Sequence, residues 1–298
     1  MLAAVTVVMA LLGMLPIGGE ISLILLPLPL TILTYEHGWR KAVLPLVAAA
    51  ILLGFLGQLP LAFAVLVFYG LMGVVMGDAL KKEEPLWRLF GQSLLAGTIG
   101  VVILWLLGKV AFGQDVFALM QKGMHEAMAS AMKFYQSMNL SSQQQAMLEQ
   151  MQKAIGELLD VAIPSMLLLA VMMLLVINFQ VSRKIIGRMG GTVAQLPPLV
   201  RWRLPWYLVW IFIASFLLTG LGGGTIIYKL SLNIYVITMF LYGLQGLAVI
   251  ANLFGRWGLT RSIKIFLMIV VFFIFGQLLV FVGLFDTWFD FRKLERAP

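Results

Sequence analysis

Apolar residues fall into nine runs separated by short polar or basic turns, at roughly 1–15, 21–35, 42–57, 59–78, 90–112, 161–182, 205–222, 231–254 and 264–285. Runs this long and this free of charge read as membrane-spanning helices, since a hydrocarbon core of about 30 Å takes about 20 apolar residues at a rise of about 1.5 Å each. The first two are short, so they tilt, extend through Pro16 or form a re-entrant pair; both cross or neither does. One long polar stretch, 113–160, interrupts the series. The pattern predicts an all-α polytopic bundle of about nine spans, divided into helices one to five (1–112), an external helical insertion (113–160), helices six to nine (161–285) and a polar C-terminal tail (286–298).

Basic residues set the orientation, because cytoplasmic loops are enriched in Lys and Arg. With the N-terminus inside, the cytoplasmic side receives Arg40 and Lys41, then Lys81, Lys82 and Arg88, then Arg183, Lys184, Arg188, Arg201 and Arg203, then Arg256, Arg261 and Lys264. The short external connections carry only Lys229. An odd number of spans places Arg292, Lys293 and Arg296 outside. Trp202, Trp206 and Trp210, spaced i, i+4, i+8, are expected to anchor the seventh helix at the interface. The N-terminal run lacks a charged n-region and an A-x-A-like exit, so it reads as a retained helix.

Composition narrows the function classes. The 298 residues are 61% hydrophobic and 11% charged, and the mean hydropathy is +1.00, which excludes a soluble enzyme. The net charge of +8 is spread between apolar runs instead of gathered on a polar face, so nucleic acid is not an expected partner. The lack of cysteine removes disulfides, thiolate metal sites and cysteine nucleophiles. Neither a G-x-x-x-x-G-K-[ST] phosphate loop nor a G-x-S-x-G elbow occurs. The two histidines, His37 and His125, fall on opposite membrane sides. No enzymatic activity and no cofactor is expected.

Charges inside spans are few, Asp78 and Lys109 lying near span ends, which argues against a charge relay. The interior polar groups are neutral and include Tyr69, Gln92, Asn178, Gln180 and Gln277. They are densest in NIYVITMFLYGLQGLAVIAN, 233–252, where Thr238, Tyr242, Gln245 and Asn252 share a helix face. Tyr69, Asn233, Thr238, Tyr242, Gln245 and Asn252 are the candidate lining of an uncharged ligand pocket; interhelical hydrogen bonding is the competing reading. Gly220, Gly222, Gly223 and Gly224 form an external turn, read as a tight connection or a hinge.

Small residues also gather on faces: Ala3, Thr6, Ala10 and Gly13 on the first helix, Ala50, Gly54 and Gly57 on the third, and Gly70, Gly73 and Gly77 on the fourth. Such faces serve packing within the bundle or docking of another membrane subunit, for which the first helix is the candidate. In the insertion, Met120, Met124, Met128 and Met132 recur every four residues, and Asn139, Ser141 and Ser142 break the run before a second helix with Met147, Met151 and Leu158. The stripe suits an amphipathic helix on lipid or protein. Met124, His125 and Met128 are the weaker candidates for soft-metal binding. His125 and Glu126 begin an H-E-x-x-H pattern that fails because position 129 is Ala. Asn139-Leu140-Ser141 is a glycosylation sequon.

The order LPIGGEISLILLPLPLTIL, YEHGWRK, an Ala- and Gly-rich helix, then FYGLMGVVMGDALKK resembles the S components of energy-coupling factor (ECF) transporters over residues 1–182. The full chain, including NIYVITMFLYGLQGLAVI, resembles the YybS-like or DUF2232 family of bacterial membrane proteins, which is related to those components. This resemblance implies a six-helix N-terminal core whose external loops close over a small molecule, with energy supplied by a separate coupling subunit and ATPases. It implies a bacterial cytoplasmic membrane location. It places Ala3, Thr6, Ala10 and Gly13 where S components present alanines to the coupling subunit, although a strict A-x-x-x-A is absent. The expected function is a small-molecule-binding component of an uptake transporter; the alternative is a non-transporting scaffold or assembly factor that captures a partner through its external helices.

Overall fold

A computed structural model of the chain describes residues 2–15, 17–111, 113, 115–136, 142–221 and 224–294. Helices dominate, and no strand occurs among the described residues. Six helical stretches are long and apolar enough to cross a membrane: Gly19–His37, Leu59–Lys81, Leu86–Ala111, Gln143–Arg188, Ile226–Arg256 and Arg261–Phe289. Leu2–Leu12 and Leu208–Thr219 are shorter apolar helices. Trp39–Phe55 is a 17-residue helix. Every apolar run therefore lies on helix, and six of them reach spanning length.

The chain divides into two compact units, residues 1–138 with 167–195, and residues 139–166 with 196–298. The first contains α1 (Leu2–Leu12), α2 (Gly19–Leu25), α3 (Pro27–His37), α4 (Trp39–Phe55), α5 (Leu59–Phe63), a π-helical segment (Ala64–Tyr69), α6 (Gly70–Lys81), α7 (Leu86–Ala111) and α8 (Val116–Gln136). The long α9, Ser142–Arg188, gives its residues from 167 onward to this unit and its earlier ones to the second. The second unit also holds a 3-10 turn (Leu199–Arg201), α10 (Leu208–Thr219), α11 (Ile226–Arg256) and α12 (Arg261–Phe289).

Packing in the first unit depends on small residues, because apolar side chains gain little by leaving lipid for each other and close contact decides association. Gly73 and Gly77 of α6 meet α3 directly: a Cβ on Gly73 would lie 2.8 Å from the Pro27 carbonyl oxygen, and one on Gly77 2.5 Å from that of Thr31. Thr31 Oγ1 donates to the Gly73 carbonyl at 3.1 Å. The small-residue face of the fourth apolar run thus packs within the bundle. Pro27, with no N–H to donate, stands at the first turn of α3 and marks the break that splits the second run into α2 and α3. Asn178 of α9 donates to the Ile24 carbonyl beside that break at 2.8 Å. Gly38, with φ of +86°, makes the turn from α3 into α4, a conformation that a residue with a Cβ rarely adopts.

In the second unit α11 and α12 pack backbone to backbone. A Cβ added to Gly246 would strike the Leu279 carbonyl, and one on Gly283 the Tyr242 carbonyl. Thr225 caps α11, its Oγ1 accepting from the Tyr228 amide at 3.1 Å. Three sequence expectations change here. The helix after the insertion does not begin near 161, because α9 is continuous from Ser142. The three tryptophans do not share a helix: Trp202 is extended, Trp206 lies in a turn and only Trp210 is helical, because Pro197, Pro198 and Pro205 keep the connector out of helix until Leu208. The polar tail begins later than 286, since α12 runs to Phe289.

Candidate functional site

In the first unit, α7 passes close to the π-helical segment. A Cβ on Gly100 would lie 2.9 Å from both Phe68 Cα and the Val67 carbonyl oxygen. Farther along α7 the small residues give way to Val101, Leu104 and Trp105, and between these and Leu167, Val171 and Leu174 of α9 lies a half-open cavity of about 500 Å³. Ile24, Phe68 and the first residues of α8, Val116 and Phe117, complete its wall. Phe68 stands on the π-helical turn, a geometry that is uncommon in general and frequent at functional sites. The volume is within the range of small-molecule sites, about 300–1,000 Å³.

The junction of α7 and α8 forms one edge of this cavity. Asp115 Oδ1 accepts from Trp105 Nε1 at 3.1 Å and from the Phe117 and Ala118 amides at 3.0 and 3.4 Å. It is thus a side-chain cap for the first turn of α8. Its Oδ2 lies 3.7 Å from Lys109 Nζ, and that ammonium stands 5.5 Å from the centre of the Trp105 ring. Phe117 meets Trp105 edge-on at 5.5 Å. Partial burial opposes ionisation of Asp115, but the indole and two amide hydrogen bonds, helped by Lys109, outweigh it and hold the carboxyl below its ordinary value. The single polar atom of Trp105 is therefore engaged outside the cavity, and what faces inward is hydrocarbon and aromatic ring.

A second hollow of about 360 Å³ is lined by Leu80, Glu83, Glu84, Phe179 and Thr192, among others. Here Glu84 Oε2 is buried without a hydrogen-bond partner among the described residues.

The second unit contains a buried polar cluster. Gln245 accepts from the Leu204 amide at 2.9 Å and donates to the Gly283 carbonyl at 3.0 Å, to Asp286 Oδ2 at 3.2 Å and to Thr287 Oγ1 at 3.2 Å. Arg292 Nε and Nη2 both donate to Asp286 Oδ2, at 3.1 and 2.7 Å. Its Nη1 donates to the Val200 and Trp202 carbonyls, each at 2.7 Å. One guanidinium thus ties the end of α12 to the connector before α10. Among the described residues Asp286 Oδ1 is buried with no hydrogen-bond partner.

Of the sequence-derived pocket residues, one stands in the first unit and five in the second. Tyr69 belongs to the first unit, where it packs edge-on against Phe68 with ring centres 4.8 Å apart, and it does not line the cavity. Thr238 donates to its own helix, at the Ile234 and Tyr235 carbonyls. Asn233 donates to the Val161 and Lys229 carbonyls and accepts from the Ser165 amide. Tyr242 is sealed against Val209 and Val280, and Asn252 is partly buried. The shared face of Thr238, Tyr242 and Gln245 is buried as its spacing requires, but of the three it is Gln245 whose hydrogen bonds reach another helix and the connector, while Thr238 bonds within its own helix.

On the first helix Thr6 and Ala10 are fully buried, Ala10 in a core with Leu26, Leu30 and Leu46. A Cβ on Gly13 would meet Leu23. Of the four proposed docking residues, only Ala3 is exposed. Met120, Met124, Met128 and Met132 form the less exposed side of α8, while His125 is exposed. Among the described residues no group of three or more His, Asp or Glu side chains is placed to hold a metal ion. The sequon at Asn139, as well as Pro16, Gly222, Gly223 and Arg296, lies outside the described residues.

The sequence pattern puts Asp286, Thr287 and Arg292 in the polar tail, whereas the structure buries them. The available signal was an aspartate directly following the apolar run, in the aromatic-rich FDTWFDFR, with an arginine six positions on.

The long apolar helices and their internal polar ties define a multi-pass helical membrane protein. Residues 3–287 match the family model described as "Predicted membrane protein (DUF2232)", and the chain belongs to that family. No curated protein and no solved structure matches it.

Proposed function

We propose that this protein is a small-molecule-binding component of a bacterial uptake system, of the kind its N-terminal sequence resembles. The observation that supports this reading is the cavity of about 500 Å³ in the first unit, within the part of the chain that carries the S-component-like order. In this reading residues 1–182 form a six-helix core. All nine apolar runs cross the cytoplasmic membrane, the N-terminus is cytosolic, and a separate coupling subunit with two ATPases supplies the energy. The exposed residues of α1, Ala3 among them, are the contact for that subunit.

The experiment is purification of the full chain from a bacterial host, with mass spectrometry of the molecules it releases and of the proteins it retains. A stoichiometric ligand together with a coupling subunit and ATPases supports the reading. Preparations with neither overturn it.

A second reading, a scaffold that captures a partner protein, is favoured by a different observation. Met147, Met151, Ile155 and Leu158 form an exposed apolar stripe on the first part of α9. Replacing the stripe with serine should abolish partner capture and leave uptake untouched if the chain is a scaffold.

A further inference from the structure

The wall of the cavity in the first unit names the class of its occupant. Along α9 it extends from Leu167 to Ile177, roughly 15 Å at the helical rise of about 1.5 Å per residue. That is half of a hydrocarbon core of about 30 Å, the depth of one leaflet. The α7 wall, Val101 to Trp105, lies between the middle and the end of Leu86–Ala111, so the cavity sits at hydrocarbon depth. Among the described residues its lining side chains are all apolar or aromatic, and the indole N–H of Trp105 is given to Asp115. A molecule with several donors and acceptors would leave them unpaired there, which opposes its binding. Met173, Ile177 and Ile24 are exposed members of the lining, so a chain can enter sideways from the lipid without passing through water. At the α7 end, among the described residues, Trp105, Lys109 and Asp115 bring polar groups beside the cavity, and indole and ammonium groups are favoured at the level of lipid headgroups.

We propose that this cavity holds a single hydrocarbon chain about one leaflet deep, the tail of an amphiphile whose polar end lies beside Lys109 and Asp115. The proposal rests on reading the first unit as a ligand-binding body, but not on uptake or on a coupling subunit. The tail gains little by exchanging lipid for protein, so its affinity comes from fit. Long chains that fill the cavity are preferred over short ones. Free fatty acids and phospholipids both present such a tail.

The test is titration of the full chain in lipid nanodiscs with cis-parinaric acid, a fluorescent C18 fatty acid. The expected result is saturable one-to-one binding, weakened roughly tenfold when Ala170→Phe and Leu174→Phe fill the cavity. Palmitate should displace the probe and octanoate should not. Displacement by palmitate alone marks a free fatty acid, and displacement by phosphatidylglycerol as well marks a bilayer lipid; both uphold the proposal. Uptake of the probe that never saturates, or that is equal in wild type and the filled variant, overturns it. Since the filled variant could misfold, its tryptophan-monitored melting is measured first, and Val101→Phe serves as a second filler. A polar, water-soluble ligand recovered from the wild type and expelled by the same substitutions would overturn the chain proposal while leaving the uptake reading intact. Chain binding without coupling partners would do the reverse.

Discussion

Arg292 places Nη2 2.7 Å from Asp286 Oδ2, and the two side chains expose 0% and 1% of their surfaces. The pair joins the last turn of α12, at Asp286, to Arg292 just beyond the helix end, so it serves to hold chain that is not helical. The carbonyls of Val200 and Trp202 belong to a proline-rich connector, and the guanidinium supplies donors that no neighbouring helix offers. Replacing Arg292 with alanine leaves a buried carboxylate with no cation, holding only the hydrogen bond from Gln245, and takes the guanidinium donor from the Val200 and Trp202 carbonyls. It should destabilise the protein by about 3–5 kcal/mol, whereas Arg292→Met combined with Asp286→Leu should cost much less. Tryptophan-monitored thermal unfolding in detergent checks this; equal losses in the single and double variants would show that the pair is not what holds the connector.

The contact of α11 with α12 admits no side chain at two places. Gly246→Ala and Gly283→Ala each put a methyl group into the opposite backbone and should destabilise by about 1–3 kcal/mol or more. Gly91, inside α7, meets nothing within 4 Å, so Gly91→Ala should be neutral or raise stability by up to about 1 kcal/mol through the helical preference of alanine. Melting temperatures of the three variants measured side by side decide it.

Acid should open the α7–α8 junction late. The carboxyl of Asp115 ionises more readily than its ordinary value of 3.8, so its stabilising contacts are complete above that pH and are lost as pH falls through the lowered value. The protection of amides 115–120 against hydrogen exchange, corrected for the intrinsic pH dependence of exchange, should hold down to the ordinary value and fall only below it. Asp115→Asn keeps a capping oxygen but loses the ion pair and the acid step, while Asp115→Ala loses the cap as well. Loss of that corrected protection already near neutrality would rule this arrangement out.

The close approach of α7 to the π-helical segment should be sensitive to size at one position. Gly100→Val forces a branched side chain against Phe68 Cα and the Val67 carbonyl. It should lower both the melting temperature and the affinity for parinaric acid, since Phe68 is part of the cavity wall. Val102→Ala, at an exposed position on the same helix, should change neither.

Much of the architecture was legible because lipid imposes a simple rule: uncharged runs become helices, and the nine runs all did. Spacing also put Thr238, Tyr242 and Gln245 correctly on one buried face. What periodicity could not supply was the identity of their partners. Gln245 reaches Leu204 and Asp286, 41 positions away in each direction, and such long-range pairing leaves no trace in local pattern. The same blindness placed Arg292 in a tail: a charge beyond an apolar run looks solvated until the chain folds back onto it. The cavity was illegible for a further reason. Its wall is made of Val, Leu, Ile and Trp, the residues that also face lipid, so lining and packing residues look alike in sequence. The π-helical turn at Ala64–Tyr69 gave no signal either, because nothing in AVLVFY distinguishes it from ordinary helix.

That wider turn has a geometric corollary. It carries about one residue more than the turns around it, and sliding the surplus one position along the chain would swing the side chains it passes by about 100°. Phe68 would rotate away from the cavity and Tyr69 toward it, exchanging a benzene ring for a phenol. Comparing the backbone pairing of 64–69 in tail-loaded and empty protein, by carbonyl isotope labelling and infrared spectroscopy, would reveal such a register slip, and an identical spectrum in the two states would show the turn to be fixed. If it does slip, an extra residue tucked into a helix becomes a ratchet by which an oily guest is gripped in one register and shed in the next.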